Sequence, residues 1–172
     1  MLSIIAAIGP KYEIGFENSL IYHSPDDMAI FKKITTGKTV YMGYKTWASL
    51  PTRTLVNRKI VVIYSLSFGI PLDLQSEIMM APRSLEAMDE KIFKRRLPFL
   101  AKGPKENIIA GGGRIYHLSK NYWQKMYLSK FRKPAGECDT WFPRYSTNGW
   151  LIRESKNFPD FTYVVFEKNK LM

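Results

Sequence analysis

The ten residues from Asn107 to Tyr116 restrict the fold more than any other part of this 172-residue chain. An apolar run containing Ile108 and Ile109 enters Gly111-Gly112-Gly113 and resumes as Arg114-Ile115-Tyr116-His117-Leu118. That order predicts a strand, a tight turn and a helix start. Three glycines let backbone approach a neighbour or ligand without Cβ interference, and the free N–H groups of a helix N-terminus favour an anion. Both a phosphate cradle and a plain strand-to-helix turn fit, because neither a spaced Gly-x-Gly-x-x-Gly nor a Gly-Lys-Ser/Thr is present.

Leu2 to Ile8 is a continuous apolar run of strand length, the pattern of a strand buried on both faces. Residues 9–25 lack clear periodicity and predict a long loop. Ser24-Pro25-Asp26-Asp27 is a helix-start signal, and Met28, Phe31 and Ile34 predict the helix's inner stripe. Further strands are expected at 38–42, 58–63, 76–80 and 125–130, with short helical segments at 46–50 and after the glycines. A helix capped by Ser84 is expected to bury Leu85, Met88 and Ile92 and to end before Pro98. Strands at 150–153 and 161–167 close the chain. Strands alternating with helices predict an α/β domain spanning 1–172: a central, mostly parallel sheet flanked by helices, with a C-terminal antiparallel hairpin.

Hydrophobic residues make up 45% of the chain, which argues against disorder, and no apolar run approaches the roughly 20 residues that span a bilayer. The first residues, without a basic leader, predict a strand rather than a signal peptide. One cysteine, Cys138, excludes an intrachain disulfide framework, and two histidines far apart leave no metal-ligand spacing. A reduced, metal-free, cytoplasmic protein is expected. The net charge of +11 is concentrated in Lys91, Lys94, Arg95, Arg96, Lys102 and Lys105, with no acid among them. A solvated helix face and an anion-binding patch both fit that run.

In a parallel sheet ligands bind beyond the carboxyl ends of the strands, so residues 5–8, Gly43 and 110–113 should converge on one cleft. Asp26 and Asp27 stand at its edge. Either can complement the helix dipole, and a carboxylate facing apolar neighbours has its pKa raised toward the range of proton work. Spacing alone leaves the choice between the two acids open.

These pieces line up with a family. Ser3-Ile4-Ile5-Ala6-Ala7, Ile14-Gly15, Glu17-Asn18, Asp27 with Phe31-Lys32, Met42-Gly43-x-x-Thr46-Trp47 and Arg58-Lys59 carry the first half of the likeness. Residues 110–116, Tyr127-Leu128-Ser129, Asp139-Thr140 and Phe142-Pro143 carry the second. In joint order and spacing the chain resembles dihydrofolate reductase along almost its whole length. The resemblance implies NADPH-dependent reduction of dihydrofolate to tetrahydrofolate, with antifolate inhibitors as further ligands and a monomer as the working state. It gives Asp27 the pterin and the proton that reaches N5, Ser129 the hydroxyl partnering that acid, and Tyr22 a catalytic position. Ile5 and Ala110 would supply carbonyls, Ala7, Phe31, Leu50 and Leu55 apolar walls, Tyr116 a further pocket residue, and Arg58 the clamp on the folate α-carboxylate. On the cofactor side the resemblance implies Gly111, Gly112 and Gly113 at the pyrophosphate, Thr46, Lys45, Ser65 and Arg83 at phosphates, and Ala7, Ile14, Gly15, Gly43, Arg114 and Ile115 along the cofactor.

The departures are local. Tyr22 replaces a tryptophan that orders water beside the pterin, Tyr44 a basic residue, and Ala110 a larger aliphatic side chain, while 86–106 is longer and more basic than the family pattern. A same-fold reductase of another pterin or pyrimidine is the alternative enzyme, which Arg58 disfavours. A weak binding or structural protein, or a nucleic-acid binder using 91–105, is the alternative outside enzymes. Specific nucleic-acid binding is not expected, because no groove-reading or base-stacking element accompanies the charges. A site contacting about six phosphates would lose affinity with a log–log salt slope of about −5. DNA and RNA titrations at rising salt should instead show weak association that vanishes at physiological salt. Tight binding there, abolished by changing Lys94, Arg95 and Arg96 to Gln, would contradict this.

Overall fold

The computed structural model describes residues 1–65, 67 and 69–169. In chain order its strands are β1 (Leu2–Ile8), β2 (Glu13–Phe16), β3 (Ser19–Leu20), β4 (Thr39–Gly43), β5 (Lys59–Tyr64) and β6 (Leu85–Asp89). They continue as β7 (Asn107–Ile109), β8 (Lys125–Phe131), β9 (Thr140–Trp141), β10 (Trp150–Asn157) and β11 (Phe161–Lys168). The helices are α1 (Pro25–Thr35), α2 (Tyr44–Ala48), α3 (Leu72–Met80), α4 (Glu90–Lys102) and α5 (Gly113–Ser119). Eight strands form one sheet in the order β10-β11-β8-β1-β7-β4-β5-β6, and β3-β2-β9 form a second, small one. All contacts from β8 across to β6 are parallel, whereas β11 runs antiparallel to both β8 and β10. This is the α/β architecture that the alternation of strand and helix signals predicts.

The central strands are buried on both faces, so successive residues serve different layers. On β1, Leu2, Ile4, Ala6 and Ile8 pack on the side of α4 and α5, with Phe93, Leu97, Ile115 and Tyr116. Ile5 and Ala7 point the other way, toward Ile30, Phe31 and Ile34 of α1. The same alternation puts Met126 and Leu128 of β8 in the first layer and Tyr127 and Phe131 in the second. A third cluster under α2 and α3 joins Val40, Met42, Ile60 and Val62 to Trp47 and Leu74. At the end of the sheet where β1, β7 and β8 begin, the Glu106 carboxylate accepts from Ser3 at 2.6 Å and Tyr127 at 2.9 Å and pairs with Lys38 at 2.6 Å. One carboxylate thereby ties three neighbouring segments together.

Four expectations are corrected. Residues 9–25 are not a plain loop: they hold β2 and β3, turned by Glu17 and Asn18 at positive φ, and β2 pairs with β9. Strands this short carry too few residues to show a period. Residues 76–80 form the end of α3 rather than a strand, with Met79 and Met80 exposed on it. Leu85 to Met88, expected in a helix, form the edge strand β6 beside β5; the helix begins only at Glu90, capped by Asp89, which accepts from Lys91 N–H at 2.9 Å. Leu85 and Met88 are spaced for a helix face, but β5 offers a free edge that settles the local tie. Pro98 lies inside α4, not beyond it. The expected helix at 46–50 is α2, displaced toward the N-terminus, and β10 extends beyond 153 to Asn157.

The register of α4 is testable. Phe93 is fully buried and Phe99 is 76% exposed. Phe93→Ala should cost about 3–5 kcal/mol and Phe99→Ala less than about 0.5 kcal/mol in urea unfolding. Equal losses would mean that the helix faces the sheet by a different side.

Candidate active site

Asp27 is placed by its helix. Ser24, at φ −142°, caps α1 by accepting from the Asp27 N–H at 3.4 Å, and Pro25 occupies the first turn. Asp27, Ile30, Phe31 and Ile34 are half-buried along the row facing the sheet, while Asp26 is exposed and Met28 is 55% exposed. The inner stripe therefore runs through Asp27 and not, as the apolar pattern suggests, through Met28; spacings of three, four and seven residues set that row. Burial raises the Asp27 pKa, and a hydrogen bond from the buried Ser129 side chain partly opposes the rise. Asp26 is left at the dipole position.

The surroundings are apolar and fixed by β1 and β8. Ile5, Ala7, Tyr22, Phe31 and Ala110 share one cluster; Ala110 also joins Leu50 and Leu55 in the next. The buried Tyr116 hydroxyl donates to the Ile5 carbonyl at 2.6 Å. Burial, followed by the negative charge of Asp27, holds the Tyr116 pKa far above the ordinary phenol range, so it remains a donor.

Arg58 lies at the outer end. Its guanidinium donates to the Val56 carbonyl at 3.1 Å and to Thr35 Oγ1 at 3.1 Å, and Thr35 in turn donates to the Phe31 carbonyl at 2.7 Å. No carboxylate pairs with it among the described residues, and burial lowers its pKa. A partly desolvated guanidinium held this way retains donors for a carboxylate ligand.

The glycine turn leaves β7 and packs on the start of α2. Gly43 N–H donates to the Gly111 carbonyl at 3.3 Å. A Cβ on Gly111 would collide with the Thr46 side chain, and Gly112 has φ 88°. A Cβ on Gly113 would stand 2.8 Å from Thr140 Cγ2. The turn therefore packs backbone directly against the Thr46 and Thr140 side chains, and only glycine fits there. Ile115 packs against Gly43, and Ile14 is buried in the α4/α5-side core. Gly15 accepts from Asp139 N–H at 3.0 Å, and Asp139 Oδ2 accepts from Glu17 N–H at 2.9 Å, tying the β2–β3 hairpin to the segment before β9.

Beyond the turn, Ser65, Ser67, Asp89, Glu90, Lys91, Lys94 and Arg114 line an open cleft of about 500 Å³. Arg114 is not a free cation there: its guanidinium makes two hydrogen bonds to Glu90, and Lys94 pairs with the same carboxylate at 3.0 Å. The Arg114 hydrogen bond, followed in weight by opposing burial and then by Lys94, brings the Glu90 pKa down to about 2. Lys45 is exposed; Asp139 nearby has its pKa lowered first by the Thr140 hydroxyl and the Glu17 N–H, with Lys45 adding least. Arg83 is exposed and does not line this cleft. Tyr44, one of the departures, donates to Asp73 at 2.9 Å.

Tyr22 sits in the Asp27-side cluster, but its hydroxyl is engaged elsewhere. It lies 3.1 Å from Glu13 Oε1 and 3.0 Å from the Lys133 carbonyl, and it accepts from Ala135 N–H at 3.1 Å. The sequence reading missed Glu13, Thr35 and Glu90. Spacing from Phe31 could have found Thr35; an isolated acid in an aperiodic stretch gives no signal for Glu13.

A mostly parallel sheet, a half-buried acid among apolar walls and a glycine turn at the strand ends define an α/β protein with one candidate site beyond the carboxyl ends of its strands. The chain belongs to the dihydrofolate reductase family: the family model described as dihydrofolate reductase matches residues 1–168. It is 30% identical to dihydrofolate reductase of Bacillus subtilis over 175 residues, covering 98% of this chain and 95% of that one. Dihydrofolate reductase of Neisseria gonorrhoeae is 31% identical over 153 residues, covering 89% and 85%. In three dimensions the chain is similar to dihydrofolate reductase of Enterococcus faecalis, solved with NADP(H) and RAB-propyl. The TM-score is 0.78 at 22% identity, over 99% of this chain and 97% of that one.

Replacing Gly112 by Val places a branched side chain at positive φ in the cradle. NADPH affinity, measured by fluorescence titration, should fall by about tenfold or more, equivalent to at least about 1.4 kcal/mol. Unchanged affinity in a folded variant would remove the turn from the cofactor site.

Proposed function

We infer that this chain catalyses NADPH-dependent reduction of 7,8-dihydrofolate to 5,6,7,8-tetrahydrofolate, and we propose Asp27 as the residue that holds the pterin and handles the proton. The observation that carries the proposal is a half-buried carboxylate with a raised pKa, bonded to Ser129, among apolar walls and without a basic partner among the described residues. NADPH, when bound, supplies the hydride that goes to C6. The Asp27 carboxylate has the acceptors to take a paired hydrogen bond from the pterin amino group and ring N–H, and low local dielectric strengthens that pairing. A raised pKa brings its proton closer to the working pH, where it assists protonation at N5.

Ser129 orients the acid. The Ile5 carbonyl, held by the Tyr116 hydroxyl, stands beside the pterin ring. Ala7, Phe31, Leu50, Leu55 and Ala110 exclude water from the ring. Arg58, steadied by Thr35, binds the folate α-carboxylate, which favours folate over a substrate lacking that group. The glycine turn with Thr46 holds the pyrophosphate; Lys45, Ser65 and the cleft beside Arg114 take the outer phosphates, and Arg83 is left outside this set. We read the chain as one domain acting as a monomer in the cytoplasm and open to antifolates at the Asp27 pocket. Among the described residues no helix is long and apolar enough to cross a membrane.

Asp27→Asn should lower turnover at neutral pH by about 10²–10⁴-fold, the scale of a lost acid–base group. The same variant should be at least as stable as the wild type at neutral pH. A raised folded-state pKa means that ionising Asp27 costs stability once the pH exceeds it; the variant's advantage is full above that pKa and disappears as pH falls through it toward the ordinary value of 3.8. Turnover assays and urea unfolding across pH test both parts. A near-normal Asp27→Asn beside an inactive Asp26→Asn would move the role to the neighbouring acid.

A further inference from the structure

Glu13 is a carboxylate that the reaction above does not use, yet it is only 2% exposed. It stands at the start of β2 and gathers three separate segments. Its Oε2 accepts from Lys11 N–H at 2.7 Å; its Oε1 accepts from Ala135 N–H at 3.2 Å and lies 3.1 Å from the Tyr22 hydroxyl. Burial alone would raise its pKa, but hydrogen bonds from its own N–H, Tyr22, Lys11 and Ala135 outweigh that and hold it ionised below the ordinary range. Tyr22, conversely, has its pKa pushed up to about 12 by burial and by the Glu13 hydrogen bond and charge, so the phenol keeps the proton it donates. Gly9 closes the pair from behind: any Cβ there would run into the Tyr22 hydroxyl and the Glu13 carboxylate.

The Tyr22 ring connects this knot to the site. It stacks on Phe131 with centroids 4.3 Å apart and planes 15° from parallel. Phe131 and Ser129 are two residues apart on β8 and so lie on one face of it, and Ser129 is the hydrogen-bond partner of Asp27. A ring stacked on Phe131 thus packs on the strand face that carries Ser129, in the cluster that holds Ala7 and Phe31.

We propose that Glu13 is a positioning residue for the reductase: by holding the Tyr22 hydroxyl between residues 9–13 and 133–135, it keeps the Tyr22 ring as a fixed wall beside Asp27. The proposal rests on Asp27 being the acid of the site. Its logic is geometric. A phenol ring anchored only by stacking can slide or tilt on Phe131. Anchored also through its hydroxyl, to a carboxylate that is itself held by two backbone N–H groups, it has one position. A wall that moves lets the substrate ring shift from its reactive placement, and small displacements cost rate more than binding.

The test compares wild type, Tyr22→Phe, Glu13→Gln and the double variant, all with full-length enzyme, NADPH and dihydrofolate. Single-turnover hydride transfer and steady-state KM are the readouts, with circular dichroism and melting temperature as the check on folding. Each single variant should slow hydride transfer, Tyr22→Phe by about fivefold to twentyfold, while the dihydrofolate KM moves less than about twofold, and the double variant should be no slower than Tyr22→Phe, which already removes the Glu13–Tyr22 bond together with those to Lys133 and Ala135. Losses that multiply in the double variant would overturn the proposal, as would a change confined to KM. Should Glu13→Gln not fold, Tyr22→Phe decides alone, since it keeps the ring and its stacking. Hydride transfer within twofold of wild type in folded Tyr22→Phe would show that the hydroxyl anchor does no positioning.

Discussion

The two-residue period of the central strands governs both the stability and the chemistry of this protein. On β1 the even residues Leu2, Ile4 and Ile8 are committed to the core under α4 and α5, while Ile5 and Ala7 face α1 and the pocket. β8 repeats the division, with Leu128 in the core and Ser129 and Phe131 toward the site. A slip of one residue in the β1–β8 register, in which Ala7 pairs with Ser129, would exchange these sets and bury the hydroxyl that meets Asp27 on the wrong side. The site and the core are therefore built by the same strands.

Parallel pairing adds the second constraint. β1, β7 and β4 run side by side in one direction, so the pocket residues at the end of β1, the glycine turn after β7 and Gly43 at the end of β4 meet at one edge. At that edge backbone meets backbone: Gly43 bonds to Gly111, and the Thr46 side chain fills the place a Cβ on Gly111 would need. Trp47, fully buried and donating to the Arg53 carbonyl at 3.0 Å, anchors the short α2 that presents Thr46.

The acids divide by how many donors they meet. Carboxylates that serve structure are satisfied: Glu106 by Ser3, Lys38 and Tyr127, Glu90 by Arg114 and Lys94, Glu13 by Tyr22 and backbone N–H groups. Their pKa values are all lowered, so each favours the folded state at neutral pH. Asp27 alone among these acids is shifted up, because its one side-chain hydrogen bond does not compensate its burial. An acid that weakens the fold persists where a ligand can supply the missing donors. Arg58 is its counterpart of opposite sign, a guanidinium whose pKa is lowered by burial and whose donors meet only neutral oxygens.

Much of this was legible from the chain by itself. Long apolar runs such as Leu2 to Ile8 and Ile60 to Ile63 specify central strands without help, and three glycines after β7 specify a turn that no side chain can occupy. Ser24-Pro25 sets the start of α1 and hence, by helical geometry, puts Asp27 and Phe31 on one row. Other elements were decided by contacts distant in sequence. Leu85 to Asp89 carries spacing that suits either a helix or a strand, and only the open edge of β5 makes it a strand. β2 and β3 are too short to show a period and exist because β9, more than 110 residues later, pairs with β2. Met28 looked like the inward residue of α1 until the sheet selected the row through Asp27, Ile30 and Ile34. The partners of Glu13, Tyr22 and Arg114 are side chains and backbone groups brought together from different loops and helices. Local sequence determines which backbone shape each segment prefers, since propensity and glycine freedom act over a few residues; which polar groups satisfy one another depends on burial, which only the assembled sheet and its loops create.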